Sequence, residues 1–161
     1  MAEKAPEGRS RVPYLDLADR TWPVLRRFAG FHTALYRLTG GRLGEDVPGG
    51  PGKMLLLDHV GAKSGTKRTA PLLYIRDGEN LVIVASKGGY PKNPAWFYNL
   101  RANPDTTVQV GGDRLAVHAR EADAAERDRF WPRLDRAWPG YADYRARSRG
   151  REIPLIVLEP T

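Results

Sequence analysis

Three short stretches of this sequence carry side chains that could do chemistry. The first, "HVGAKSGTKRTAPL" from His59 to Leu72, sets Lys63, Ser64, Lys67 and Arg68 among Gly61, Gly65 and Pro71. Cations fixed on a glycine-hinged turn suit a phosphate or a carboxylate, and the glycines let backbone amides face inward beside them. A solvated basic hairpin would use the same residues, so this stretch alone leaves both readings open. The second, "ASKGGYPKNPAWFYNLRANP", runs Ala85, Ser86 and Lys87 off a strand end, turns at Gly88 and Gly89, and starts a helix near Pro94. Helix-start amides add positive potential, and Trp96 and Asn99, three apart, share a helix face. Such a loop could hold a polar heterocycle with an anionic tail. Trp96 is equally readable as a core aromatic, and Phe97 is assigned to the core. The third, "AWPGYADYRARSRGREIP", places Tyr141 and Tyr144 three apart in an arginine-rich segment. A tyrosine offers an apolar wall and a hydroxyl of ordinary pKa about 10. Two half-buried surface tyrosines are the plainer alternative.

Other chemistries lack their residues. After Gly61 the next glycine comes one position too early for a phosphate-binding P-loop, and no G-x-G-x-x-G fingerprint is present. His32, His59 and His118 are scattered without metal-ligand spacing, so no metal is expected. No G-x-S-x-G occurs, and the chain has no cysteine, which removes thiolate ligands, disulfides and cysteine nucleophiles. Any reaction therefore has to come from a bound cofactor.

The elements that would position these stretches follow from pattern. Short apolar runs read as strands at "KMLLLDHV", "RTAPLLYIRD", "NLVIVASK", "TTVQVGG", "RLAVHARE" and "IPLIVLE". Asp77-Gly78 and Gly111-Gly112 mark hairpin turns between them. Helices are expected over roughly Pro94 to Ala102 and Ala124 to Ala137. Asp123 and Glu126 form a capping box on the second, and Pro132 kinks or divides it. Antiparallel strands with helices at the ends predict an α+β fold, a small barrel of about six strands.

Residues 1–50 read as an arm and 51–161 as the barrel domain. The arm begins as a polar tail over 1–13 and becomes a basic amphipathic helix from Tyr14 to about Leu38, with Pro23 as a break. A Gly/Pro linker, "TGGRLGEDVPGGPG", then leads to the barrel. That helix either caps the body, or lies at a membrane with its aromatics in lipid and its arginines at the headgroups. The polar start "MAEKAPEGRS" predicts no signal peptide, and no apolar run is long enough to span a bilayer. A net charge of +7, from 26 Lys and Arg against 19 Asp and Glu, favours an anionic partner without choosing one.

Taken in order, "GAKSGTKRTAPLLYI", "LVIVASKGGYPKNPAWFYNLRANPDTTVQV" and "WPGYADYRARSRGREIPLIVLEP" resemble the deazaflavin-dependent nitroreductases of actinobacteria, over roughly Leu55 to Pro160. The resemblance implies a split β-barrel that uses coenzyme F-420, an 8-hydroxy-5-deazaflavin with a phosphodiester and an oligoglutamate tail. It implies that Lys63 and Arg68 meet the tail. Ser64, Pro71, Ala85, Ser86, Lys87, Gly88, Ala95, Trp96 and Asn99 would lie around the cofactor, and Tyr141 and Tyr144 match tyrosines of the acceptor pocket. Ala62 and Lys67 stand where a family member has arginine and proline. Trp138, Gly140 and Arg147 stand where it has tyrosine, serine and tryptophan, which leaves acceptor preference open.

The function implied is an oxidoreductase that transfers a hydride from the reduced coenzyme to a quinone, enone or nitroaromatic acceptor. Ser86, Tyr141 and Tyr144 would be its catalytic side chains. The expected partner is a small-molecule acceptor, with no nucleic acid, in the cytoplasm or at the inner membrane face. The alternatives are an FMN-binding split barrel, a non-catalytic deazaflavin carrier, and a basic barrel that binds single-stranded nucleic acid.

Overall fold

A computed structural model of the chain describes residues 28–47 and 50–161. The polar tail and the expected helix as far as residue 27 lie outside the described residues. The first described element, α1, covers residues 28–39. It is followed by β1 (Lys53–Val60), β2 (Lys67–Asp77), β3 (Asn80–Val84), α2 (Ala95–Ala102), β4 (Asp105–Val110) and β5 (Asp113–Glu121). The chain ends with α3 (Ala124–Ala137), α4 (Tyr141–Arg147) and β6 (Leu155–Pro160).

The strands close into one barrel in the order β1-β2-β3-β6-β5-β4, and every pairing is antiparallel. The turns at Gly78 and Gly111 have positive φ, as the two sequence signals require. Alternation then sorts the side chains. Leu55, Leu57, Leu81, Ile83, Val108, Val117 and Leu158 fill the barrel, and Trp96, Phe97 and Leu100 of α2 pack into the same cluster. Val82, Val84, Leu155 and Val157 point the other way, where Phe130 and Leu134 of α3 and Tyr141 of α4 cover them. Strands β3 and β6 are thus apolar on both faces, which is why "LVIV" reads as an unbroken run.

The helix starts are set by local chemistry. Asp123 accepts the Glu126 N–H at 2.9 Å, and the Glu126 carboxylate accepts the Asp123 N–H at 3.0 Å. Arg120 holds Glu126 at 2.8 Å and Glu159 at 2.7 Å, tying the start of α3 to β5 and β6.

Some expectations are corrected. Helix α3 is continuous through Pro132; Phe130 and Leu134, packed on the barrel on either side, hold the helix together where the ring removes one hydrogen bond. Strand β3 ends at Val84 rather than Lys87, because the carbonyls beyond it bond to a side chain described below. No helix was expected at Tyr141, yet Gly140 opens α4 there. Directly after α1 the chain packs on the turn between β4 and β5. A Cβ on Gly41 would lie 2.5 Å from the Gly111 Cα, and Tyr36, fully buried, donates to the Met54 carbonyl at 3.0 Å and accepts the Gly111 N–H at 2.8 Å.

Candidate active site

The basic stretch forms the loop between β1 and β2. The Gly61 N–H bonds the Thr66 carbonyl at 2.9 Å, the Gly65 N–H bonds the Gly61 carbonyl at 2.8 Å, and Ser64 Oγ accepts the Thr66 N–H at 3.2 Å. A Cβ on Gly61 would lie 2.3 Å from Ser64 Oγ, so glycine there lets the loop close on itself. The glycine amides are consumed inside the turn. These two amides are therefore not open to an anion, whereas the Lys63 and Arg68 side chains are exposed.

A buried side chain holds this loop in place. Asn99 of α2 accepts the Ala62 N–H through Oδ1 at 2.9 Å, and its Nδ2 donates to His59 Nδ1 at 2.9 Å. His59 must then be neutral with its proton on Nε2, in keeping with its lowered pKa, which burial and then the charge of Arg68 depress. A groove of about 640 Å³ opens beside the clamp, lined by Lys63, Ser64, Arg68, Ala95, Tyr98 and Asn99 together with Gly61 and Ala62. Lys63 and Arg68 are exposed and make no ion pair among the described residues. No side chain caps α2, whose first residue, Ala95, borders the groove, so its dipole adds positive potential there.

A second, smaller hollow of about 190 Å³ lies farther along β2. Pro71, Leu73, Val84, Ser86, Trp138, Tyr141 and Tyr144 line it, with Val47, Met54 and Leu72. Arg68 borders the groove and Pro71 this hollow, three residues along one strand, or roughly 10 Å. Tyr141 is buried and meets Trp131 and Tyr144 edge-on at 6.1 and 5.8 Å. Burial, with lesser contributions from Tyr144 and Asp135, pushes its pKa far above that of a free phenol. The hydroxyl is thus a proton holder and hydrogen-bond donor, not a base.

The structure sorts the candidate residues by place. Lys63, Ser64, Arg68, Ala95 and Asn99 gather at the groove; Pro71, Ser86, Tyr141 and Tyr144 gather at the hollow. Ala85, Lys87, Gly88 and Trp96 line neither. Ala85 is fully buried, with its N–H on the Pro154 carbonyl at 2.9 Å. Trp96 sits in the barrel core. Lys87, at φ 48°, places its Nζ 5.7 Å from the Tyr90 ring, and Gly88 lies beside it on a short 3-10 turn, Lys87–Gly89. Of the three departures near the third stretch, Trp138 lines the hollow, whereas Gly140 and Arg147 do not.

Sequence reasoning missed Arg151. Its guanidinium donates to the carbonyls of Ala85 at 3.2 Å, Ser86 at 2.8 Å and Tyr90 at 3.0 Å, and to Asn93 Oδ1. It fixes the whole loop that carries Ser86. Its only sequence signal was membership in an arginine-rich run, where nothing separated it from its neighbours. Gly89 completes the seat: a Cβ there would lie 2.6 Å from the Tyr144 carbonyl oxygen, so only glycine lets this loop close on α4.

Compared with known proteins, the chain matches over residues 29–160 the family described as F-420H(2)-dependent quinone reductase. A protein of Mycobacterium tuberculosis with that same description is 43% identical over 130 residues, which cover 79% of this chain and 86% of that protein. A solved structure described as an F-420-H2 dependent reductase (FDR-A) is 40% identical, with a TM-score of 0.61, covering 66% of this chain and 93% of its own. Another, described as a domain-swapped dimer, is 35% identical with a TM-score of 0.64, covering 85% and 99%.

Proposed function

Because the chain belongs to the F-420H(2)-dependent quinone reductase family, we propose that its groove and hollow together reduce a quinone at the expense of the reduced coenzyme. Membership makes the chain an oxidoreductase dependent on coenzyme F-420. The residues present fit that ligand: exposed cations that make no ion pair among the described residues border an open groove, and an apolar hollow with hydroxyl donors borders the same strand, β2. When bound, the coenzyme supplies a hydride.

Lys63 and Arg68 hold the phosphodiester and tail carboxylates by charge-assisted bonds. Asn99 keeps the loop bearing Lys63 against α2, so those charges are placed before the ligand arrives. Trp138, Leu73, Val84 and Pro71 wall the hollow and exclude water from the acceptor. Tyr141 keeps its proton on Oη and donates a hydrogen bond to the acceptor oxygen that gains charge. Ser86 adds a second donor, and Tyr144 shapes the opening. Hydride addition takes a quinone to its hydroquinone monoanion, and one proton drawn from solvent completes the neutral hydroquinone. The same donors suit an enone or a nitro oxygen, so these acceptors belong to the proposal as well.

Peripheral contact with a membrane is part of this reading. Among the described residues no helix is long and apolar enough to cross a bilayer. The outer side of α1, however, exposes Phe28, Phe31 and Leu38 at 61%, 68% and 85%, a stripe suited to the lipid interface where long-chain quinones reside.

The observation that carries the proposal is the placing of Arg68 and Pro71 on one strand, one at a cationic groove and the other at a phenol-lined hollow. The test is to mix the purified protein with reduced coenzyme and menadione and follow the return of oxidised-coenzyme absorbance. Turnover that depends on protein supports the reading. Tight coenzyme binding without turnover over quinones, enones and nitroaromatics would replace it with a carrier.

A further inference from the structure

A second basic hollow, of about 530 Å³, opens against the barrel next to the cofactor groove. Arg37 of α1, Lys67 and Arg68 of β2 and Arg114 of β5 line it, with a single carboxylate, Asp58 of β1. Asp58 lies on the outward row of β1, opposite in alternation to Leu55 and Leu57 in the core. It does not cancel the cations. Its Oδ1 accepts from Arg37 at 2.6 Å and from Thr69 Oγ1 at 2.7 Å, and its Oδ2 accepts from Arg114 at 2.8 Å. Asp58 thus works as a post that gathers guanidinium groups from two distant elements, with both of its own oxygens engaged.

Three positive charges remain in excess at this hollow. His59, which also lines it, adds none, because burial and Arg68 hold its pKa below the usual imidazole value. Lys67 and Arg68 make no ion pair among the described residues. Like charges brought this close repel even in water, and an anion relieves the repulsion. Arg68 borders both this hollow and the cofactor groove. A string of negative charges laid over Lys63 and Arg68 can therefore continue onto Lys67, Arg37 and Arg114 without leaving the surface.

We infer that this hollow is a binding site for a polyanion of the carboxylate or phosphate class. Its occupant is either the outer part of the coenzyme's acidic tail, which rests on the function proposed above, or a free polyanion. The test compares the wild type with the double variant Lys67→Gln/Arg114→Gln; both residues are exposed, and melting curves check that the variant folds. Coenzyme carrying one glutamate and coenzyme carrying several are titrated at one fixed ionic strength and followed by fluorescence. Inorganic pyrophosphate is titrated in a separate arm, without coenzyme, and followed through the arginine side-chain NMR signals.

If the tail occupies the site, the wild type prefers the longer tail by about tenfold. The variant then loses that preference while its affinity for the short form is unchanged. Saturable pyrophosphate binding that the variant lacks, with no tail-length preference, assigns the site to a free polyanion. If neither tail length nor pyrophosphate separates the two proteins, the inference is overturned. If neither form of the coenzyme binds the wild type, the proposed function fails, and the pyrophosphate arm still decides this site.

Discussion

At the scale of single residues, burial decides what Tyr141 can be. Its pKa is pushed far above the free phenol value, first by desolvation and then by Tyr144 and Asp135. The hydroxyl therefore stays protonated well past the pH at which an exposed tyrosine ionises, about 10. Tyr141→Phe should lower kcat for menadione by about a hundredfold and leave the coenzyme Kd unchanged. The wild-type pH–rate profile should show no loss assignable to this phenol near pH 10. An alkaline limb there that vanishes in the variant would count against the role. The tail contacts are tested separately: Lys63→Ala and Arg68→Ala should each weaken coenzyme binding by about tenfold, with the melting temperature unmoved because both side chains are exposed. Trp96 marks the limit of reading one residue at a time. Its spacing from Asn99 put both on one helix face, yet Asn99 reaches the loop clamp while Trp96 fills the barrel.

At the scale of elements, the start of α3 is the clearest case of local sequence setting structure. The Arg120 hydrogen bonds, then the Asp123 amide, lower the Glu126 pKa from 4.5 to about 2. A depressed carboxylate pKa stabilises the fold above the unfolded value, and that contribution is lost as pH falls from about 4.5 toward 2. Glu126→Gln should flatten the loss of stability across that window. Asp123→Ala, which removes the cap, should cost about 1 kcal/mol, a drop of roughly 2–4 °C in melting temperature for a chain of this size. Calorimetry as a function of pH reads both. The loop from Ala85 to Asn93 is the opposite case. Its own glycines permit the turn, and Gly89 lets it close on Tyr144, but its path is fixed from far away by Arg151, some sixty positions later, which takes its carbonyls.

At the scale of the whole molecule, closure of the barrel brings β1, β2, β4 and β5 together under α1, and Tyr36 pins that helix through Met54 and Gly111. One side of α1 is thereby fixed to the barrel while Phe28, Phe31 and Leu38 remain outside. With the net charge of +7, that stripe should bring the protein to anionic vesicles in a salt-sensitive way. Phe28→Asp/Phe31→Asp should abolish co-sedimentation without changing turnover of soluble menadione. Co-sedimentation that survives the double change would remove α1 from the membrane role.

The sequence alone determined the elements whose signals are local. Short apolar runs gave the strands, the Asp77-Gly78 and Gly111-Gly112 pairs the two hairpins, and Asp123 with Glu126 the start of α3, because each depends on neighbours within a few positions. It also marked the three stretches whose residues line the groove and the hollow. Only the tertiary structure decided which of those side chains meet. Asn99 on the loop amide, Arg151 under Ser86, Asp58 gathering arginines from α1 and β5, and Tyr141 sunk beneath Trp131 are all contacts between distant parts of the chain. Burial and long-range hydrogen bonds carry no sequence period, so they come into being only when the barrel closes.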